Sequence, residues 1–346
     1  MKPYQKIMLA LFIGVLLGEF IPSLLPIYSY LGAIFIRLLK FIIVPIVFAS
    51  LLTSVANMGN SSEFGKLGFK TFLYFVVTTT LSISLGIFLT FLIQPGVIPL
   101  IESSLIGEVK IPEALPLSEV VMNIIPDHPI RALIDGNMLQ VIVMAMSFGF
   151  ALRYLPRDIS KPMISWFDSL NELMMVITGW VLALSPLGIA CLIGELFATV
   201  GFQSLLPLIK YIVTVLLGLF IYAFIIVPFY CVVLAKENPL VMIRKLSVGI
   251  VTAFSTASSA ATLPIILKSL IYRCNQPVAV TSFVMPVGIT VNMNGTALFQ
   301  GAATVFIAQL YHVPLSLTHY VLILTTTLLA AIGTAAVPSA GLITLT

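Results

Sequence analysis

Four short polar stretches interrupt an otherwise apolar sequence. Ser258 and Ser259 stand in a run of small residues, 255–262. Asn292, Asn294 and Gly295 break the apolar segment 281–311. Thr78, Thr79 and Thr80 lie in the middle of another apolar segment. A last run, 333–341, carries Gly333, Thr334, Pro338, Ser339 and Gly341. These groups offer hydroxyl, amide and backbone oxygens. Such neutral oxygen ligands suit hard cations, and helix ends exposed at a break carry about half an elementary charge each, which attracts ions without burying a charged side chain. Each stretch also has a plainer reading. Small residues let helices pack closely, mid-helix threonines bond back to their own backbone, and an Asn pair can form a polar kink. His128, His312 and His319 fall in outer loops or at segment ends, where solvated histidines are the default.

The elements that must hold these groups are membrane helices. The chain of 346 residues is 60% hydrophobic and only 9% charged, against about 25% charged in soluble domains. Water-facing surface needs charge, and there is too little here for a large soluble core. The net charge of +4 comes without a basic run of the kind that binds nucleic acid. Cys191, Cys231 and Cys274 lie in or beside apolar runs and do not form a disulfide framework. The lysines ahead of the first apolar run resemble a secretory signal, yet no small-residue cleavage site follows, so this run reads as the first spanning helix.

Six segments are apolar over about the 20 residues that a bilayer requires: 6–27, 31–57, 69–94, 137–155, 169–199 and 205–235. With the N-terminus in the cytoplasm, Lys2, Lys6, Lys66, Lys70, Arg153, Arg157, Lys161, Lys236, Arg244 and Lys245 all fall inside. The acidic stretch 95–131, with Glu102, Glu108, Glu113, Glu119 and Asp127, falls outside. That satisfies the positive-inside bias. Arg37 and Lys40 lie near the outer end of the second segment and can snorkel.

Beyond residue 236 the pattern changes. The arms 241–254 and 264–272 are too short to span, the first rising only ~21 Å as helix. Basic residues flank both, so 255–262 is expected to be the tip of a re-entrant hairpin. The arm 317–332 opens a second hairpin, with its tip at 333–341. The Asn-Met-Asn-Gly break between them predicts non-helical backbone at membrane depth, tolerated only where it lines a site or cavity. Matched interrupted segments of this kind mark the binding site of a secondary transporter.

The residues that carry these features resemble the dicarboxylate/amino acid:cation symporter (glutamate transporter) family over nearly the whole chain. RLLKFIIVPIVFASLL at 37–52 is similar to its second helix, AFSTASSAATLP at 253–264 to its first hairpin, NMNGTALFQGAATVFIAQ at 292–309 to its broken seventh helix, and IGTAAVPSAG at 332–341 to its second hairpin tip. The resemblance implies an all-α integral membrane fold. Trimerising scaffold helices would lie within 1–60 and 118–200. A transport domain of inverted hairpins and broken helices would comprise 69–94, 203–235, 239–272, 279–311 and 317–346. It implies Na⁺- or H⁺-coupled uptake of glutamate, aspartate or a C4-dicarboxylate by a homotrimer in the lipid of the inner membrane, with no cofactor beyond the coupling ion and no enzymatic activity.

By the same resemblance Ser258, Ser259, Thr296, Val337, Pro338, Ala340 and Gly341 would contact substrate. Thr78, Thr79, Gly288, Thr290, Asn292, Met293, Asn294, Ile332 and Thr334 would help bind cations, several through their backbone. The chain departs from the family pattern in three ways. Asn294 stands where the family has Asp. Ala336 and Ser339 replace a glycine-rich spacing. No eighth helix follows, and no Asp or Glu occurs after Glu237. These departures leave open a truncated, transport-inactive member of the same family. An intramembrane hydrolase using Ser258 or Ser259 is a third reading. It would need a base in that half of the chain at membrane depth, where no His lies.

Overall fold

The structure is a computed structural model that describes residues 3–57, 62–97, 122, 125–201, 205–256 and 258–333. Among the described residues the regular structure is helical. In chain order the helices are α1 (Pro3–Phe20), α2 (Leu25–Ala56), α3 (Ser62–Ile93), α4 (Pro129–Asp135), α5 (Met138–Tyr154), α6 (Arg157–Ala183), α7 (Ser185–Val200), α8 (Leu205–Val233), α9 (Pro239–Thr256), α10 (Ser259–Tyr272), α11 (Val278–Val291), α12 (Asn294–Leu310) and α13 (Leu317–Gly333).

Among the described residues, three of the expected spans are long and apolar enough to cross a bilayer as single helices: Pro22–Ala56, Leu67–Ile93 and Leu205–Val233. The others differ from expectation for local reasons. The segment expected at 6–27 ends as helix at Phe20, because Pro22 opens a separate short 3₁₀ turn, Pro22–Leu24. The segment expected at 169–199 is two helices, α6 and α7, that meet at a 52° bend. Pro186 lies at the start of α7, where it lacks the N–H that would continue the ladder from α6. The segment expected at 137–155 forms the 17-residue α5.

α1 and α7 lie almost backbone to backbone. A methyl group placed on Gly18 would come 2.4 Å from the carbonyl oxygen of Gly194, and one on Gly14 would come 2.6 Å from that of Ala190. Small residues four apart on both helices permit this approach, which dispersion rather than water exclusion must hold in a lipid environment. The largest buried cluster joins α2, α5 and α6 through residues such as Phe48, Leu52, Ile142, Ala145 and Met174. Separate small clusters join α3 to α11, α12 and α13, one through Phe75, Val291 and Ile332, the other through Ile83, Ala297 and Ala331.

The first hairpin forms, with α9 and α10 packed on each other and α10 resting on α11. Its tip is tighter than expected. The arms run on to Thr256 and resume at Ser259 instead of leaving 255–262 irregular, because Ala and Ser tolerate helical backbone. The arm of the second hairpin is α13. Its tip lies outside the described residues.

Candidate functional site

α3 presents Thr78, Thr79 and Ser82 on one face, since residues three and four apart neighbour each other on a helix. All three are almost fully buried. The helix that covers them is α12, and glycine sets how close it comes. A methyl on Gly86 would lie 2.4 Å from the Leu298 carbonyl oxygen, and one on Gly301 would lie 3.0 Å from Ile83. That approach brings the N-terminal end of α12 within hydrogen-bonding reach of the α3 hydroxyls.

Between α11 and α12 the backbone leaves helical geometry at two residues, Asn292 (φ −107°, ψ 61°) and Met293 (φ −92°, ψ 63°). The expected break is therefore present, and Asn294 and Gly295 already belong to α12. A break of this kind leaves the last carbonyls of one helix and the first N–H groups of the next without intrahelical partners, ends that can attract ions. Asparagine suits such a point, because its side chain competes with helical hydrogen bonding.

The side chains at the break meet α3 directly. Thr78 Oγ1 lies 3.1 Å and Thr79 Oγ1 3.2 Å from Asn292 Oδ1. Thr79 Oγ1 is also 2.8 Å from Asn294 Oδ1, and Ser82 Oγ donates to the Asn294 carbonyl at 2.6 Å. Asn294 Nδ2 donates to the Tyr222 hydroxyl of α8 at 2.8 Å. Each hydroxyl has one proton. Thr78 has three acceptors in reach, the carbonyls of Tyr74 and Phe75 and the Asn292 amide. Thr79 has two, on Asn292 and Asn294. Oxygens thus outnumber protons here, and a cation would satisfy lone pairs that the hydroxyls cannot. Back-bonding and cross-helix bonding coexist at Thr78.

The other expected residues are placed unevenly. Gly288 lies on α11 behind Phe75, whose ring a methyl there would approach to 3.1 Å. Ile332 packs with Phe75 and Val291 beside the break, so α13 reaches it. Thr290 is in the last turn of α11 and Met293 is at the break itself. Thr296 stands half-buried in the first turn of α12. Ser258 is half-buried and accepts from Thr262 Oγ1 through its carbonyl at 2.8 Å, while Ser259 is exposed. Among the described residues the hydrogen bonds that define the polar cluster join α3, α8 and the break. Thr334, Val337, Pro338, Ala340 and Gly341 lie outside the described residues. Ser82 and Tyr222 were not among the residues singled out from sequence. Ser82 was findable, lying one helical turn from Thr78 and Thr79; Tyr222 is one of three tyrosines in a strongly apolar run, with no neighbouring residue to set it apart.

The family model for the sodium:dicarboxylate symporter family matches residues 4–346. The chain belongs to that family. It is 32% identical to a proton/glutamate-aspartate symporter of Escherichia coli (strain K12), covering 98% of this chain and 81% of that protein. It is 30% identical to a proton/sodium-glutamate symport protein of Geobacillus stearothermophilus, covering 98% and 82%. It is 33% identical to the neutral amino acid transporter B(0) of Bos taurus, covering 94% and 66%. As a member of the sodium:dicarboxylate symporter family the protein is an all-helical integral membrane transporter, coupled to a cation gradient, and not an enzyme. The hydrolase reading of Ser258 and Ser259 is set aside on that ground.

Proposed function

We propose that this family member imports an acidic amino acid, glutamate or aspartate, and that Na⁺ bound between α3 and the α11–α12 break is a coupling ion. The observation that carries the reading is the convergence of Thr78, Thr79, Asn292 and Asn294 oxygens at a helix break held by close α3–α12 packing. The choice of Na⁺ over H⁺ at this point follows from side-chain chemistry. The cluster is built from hydroxyls and amides, and none of these gains or loses a proton between about pH 5 and 8. A proton carrier needs a group that does.

The proposed division of labour follows the packing. α1, α2, α5, α6 and α7 would form the scaffold of a homotrimer, and α3 with α8–α13 the moving transport domain. The separate hydrophobic clusters support this. Substrate would lie where Ser258, Ser259 and Thr296 meet the segment containing Val337, Pro338, Ala340 and Gly341, with Gly288, Thr290, Met293, Ile332 and Thr334 around a second cation. The N-terminus would be cytoplasmic, in a bacterial inner membrane, as the distribution of Lys and Arg supports.

Uptake of labelled glutamate, aspartate and succinate into liposomes containing the purified protein tests the reading. Accumulation of glutamate or aspartate under an inward Na⁺ gradient, lost when choline replaces Na⁺, is the expected result. Accumulation driven by a pH gradient in the absence of Na⁺ would overturn the ion assignment. Preference for succinate would overturn the substrate.

A further inference from the structure

α8 is not a uniform helix. Residues Tyr222–Ile226 form a π-helical turn, an insertion that is rare and concentrates at functional sites. One residue of slip turns the following face of a helix by ~100°, so the insertion sets which side chains beyond Tyr222 face α3, where Tyr230 meets Tyr74. Tyr222 opens the turn and is buried against both. Its hydroxyl accepts from Asn294 Nδ2 at 2.8 Å and lies 3.4 Å from the Thr78 carbonyl, to which it can donate.

This bears on the one residue of the cluster that is ambiguous by nature. An asparagine amide has the same shape either way round, and its neighbours' donors and acceptors decide which end points where. Here Oδ1 of Asn294 faces Thr79 and Nδ2 faces Tyr222. The reversed amide would aim two partly positive hydrogens at Thr79 and at the oxygens around it. Thr79 could then accept from Nδ2, and Tyr222 could donate to Oδ1. The reversal would therefore cost the Tyr222 proton its place on the Thr78 carbonyl, and it would turn N–H groups toward any cation beside Thr79.

We propose that Tyr222 is a positioning residue. By accepting the Asn294 N–H while its own proton is directed at the Thr78 carbonyl, it holds the Asn294 oxygen toward Thr79 and thereby sets the affinity for the cation. This rests on the reading of the cluster as a cation site. It would also let a neutral amide serve at position 294: the amide is a cation ligand only when one end is tied back, whereas a carboxylate presents oxygen either way.

The symmetry of a carboxylate supplies the test. Na⁺ affinity would be measured on the purified protein in lipid nanodiscs, by calorimetry and by Na⁺-dependent thermal unfolding against choline, at pH 8. Tyr222→Phe leaves Nδ2 without its acceptor and is expected to weaken Na⁺ binding by roughly 3- to 10-fold, the range a single hydrogen bond controls. In the N294D background the same Y222F change is expected to leave the affinity unchanged or tighten it, because there is no amide to reverse. An equal loss in both backgrounds would mean that Tyr222 only supports the packing, and would overturn the proposal. If N294A and N292A also leave Na⁺ affinity unchanged, the cluster is not a cation site and both readings fall together. Should Y222F not fold, Y222Q, which retains an acceptor, takes its place. Near wild-type affinity is then expected, and a loss beyond 10-fold in Y222Q that is matched in the N294D background would overturn the proposal.

Discussion

Asn292→Ala separates cation binding from folding more cleanly than other changes at the break. Asn292 Oδ1 is the oxygen that both threonines approach, at 3.1 and 3.2 Å. Removing it orphans neither hydroxyl. Thr78 still has the Tyr74 carbonyl at 2.9 Å and Thr79 still has Asn294 Oδ1 at 2.8 Å. Without Na⁺ the variant should therefore lose only about 1 kcal/mol, the net worth of an ordinary hydrogen bond. With Na⁺ it also loses a ligand to a charge, worth about 1.5–3 kcal/mol, which is roughly a 10- to 150-fold weaker site at about 1.4 kcal/mol per decade. Ligand linkage converts this into stability. Na⁺ at 100 times the dissociation constant stabilises by about 2.7 kcal/mol, whereas a site 30-fold weaker gains only about 0.9 kcal/mol at the same concentration. Thermal or denaturant unfolding in nanodiscs, titrated with NaCl against choline chloride, reads both quantities. An N292A variant equally destabilised in the two salts, with the Na⁺-dependent increment intact, would show that Asn292 is not a cation ligand.

Three further outcomes follow from the packing and the chemistry. Gln309 ties the end of α12 to the end of α3, accepting from Gly96 N at 3.1 Å and donating to Thr90 O at 3.0 Å. Q309L should lower stability by about 1–3 kcal/mol, the cost of an orphaned buried group, with Na⁺ affinity unaffected. At the α1–α7 contact, G18L cannot fit against the Gly194 carbonyl without separating the helices. It should cost at least the ~1–3 kcal/mol of an overpacked core, measured as a lower unfolding midpoint in both salts. Na⁺ affinity of the unaltered protein should be flat from about pH 5.5 to 8.5, because the cluster has no group that titrates there. In N294D the affinity should instead fall at acid pH, since protonation of the new carboxylate removes the charge that binds.

Much of this architecture was legible from residue types. The break at Asn292 could be read because two amides and a glycine follow an apolar run that would otherwise continue as helix, and the structure departs from helix at Asn292 and Met293. The hairpin arms could be read from their lengths. Their tip was misjudged because Ser255, Thr256, Ser259, Ala260 and Ala261 are compatible with helix, so composition could not say where helix stops. The bend between α6 and α7 has a visible cause in Pro186, but an apolar stretch with one proline reads equally well as a kinked span. The π-turn at Tyr222–Ile226 has a visible cause in Pro228, which lacks the N–H that would continue the helical ladder just beyond it, but a proline in an apolar run reads equally well as a simple kink. Tyr222 could not be connected to Asn294, 72 positions away, because only the tertiary packing of α8 brings the two together.

The most direct measurement is anomalous scattering from Tl⁺, a heavy monovalent ion, in crystals of the protein soaked with a thallium salt in place of Na⁺. A peak in contact with Thr79 Oγ1 and the side-chain oxygens of Asn292 and Asn294, abolished by competing Na⁺ and absent in N292A crystals, is the expected result. Crystals in which Tl⁺ binds elsewhere, competes with Na⁺ there, and leaves the space between α3 and the α11–α12 break empty would contradict it.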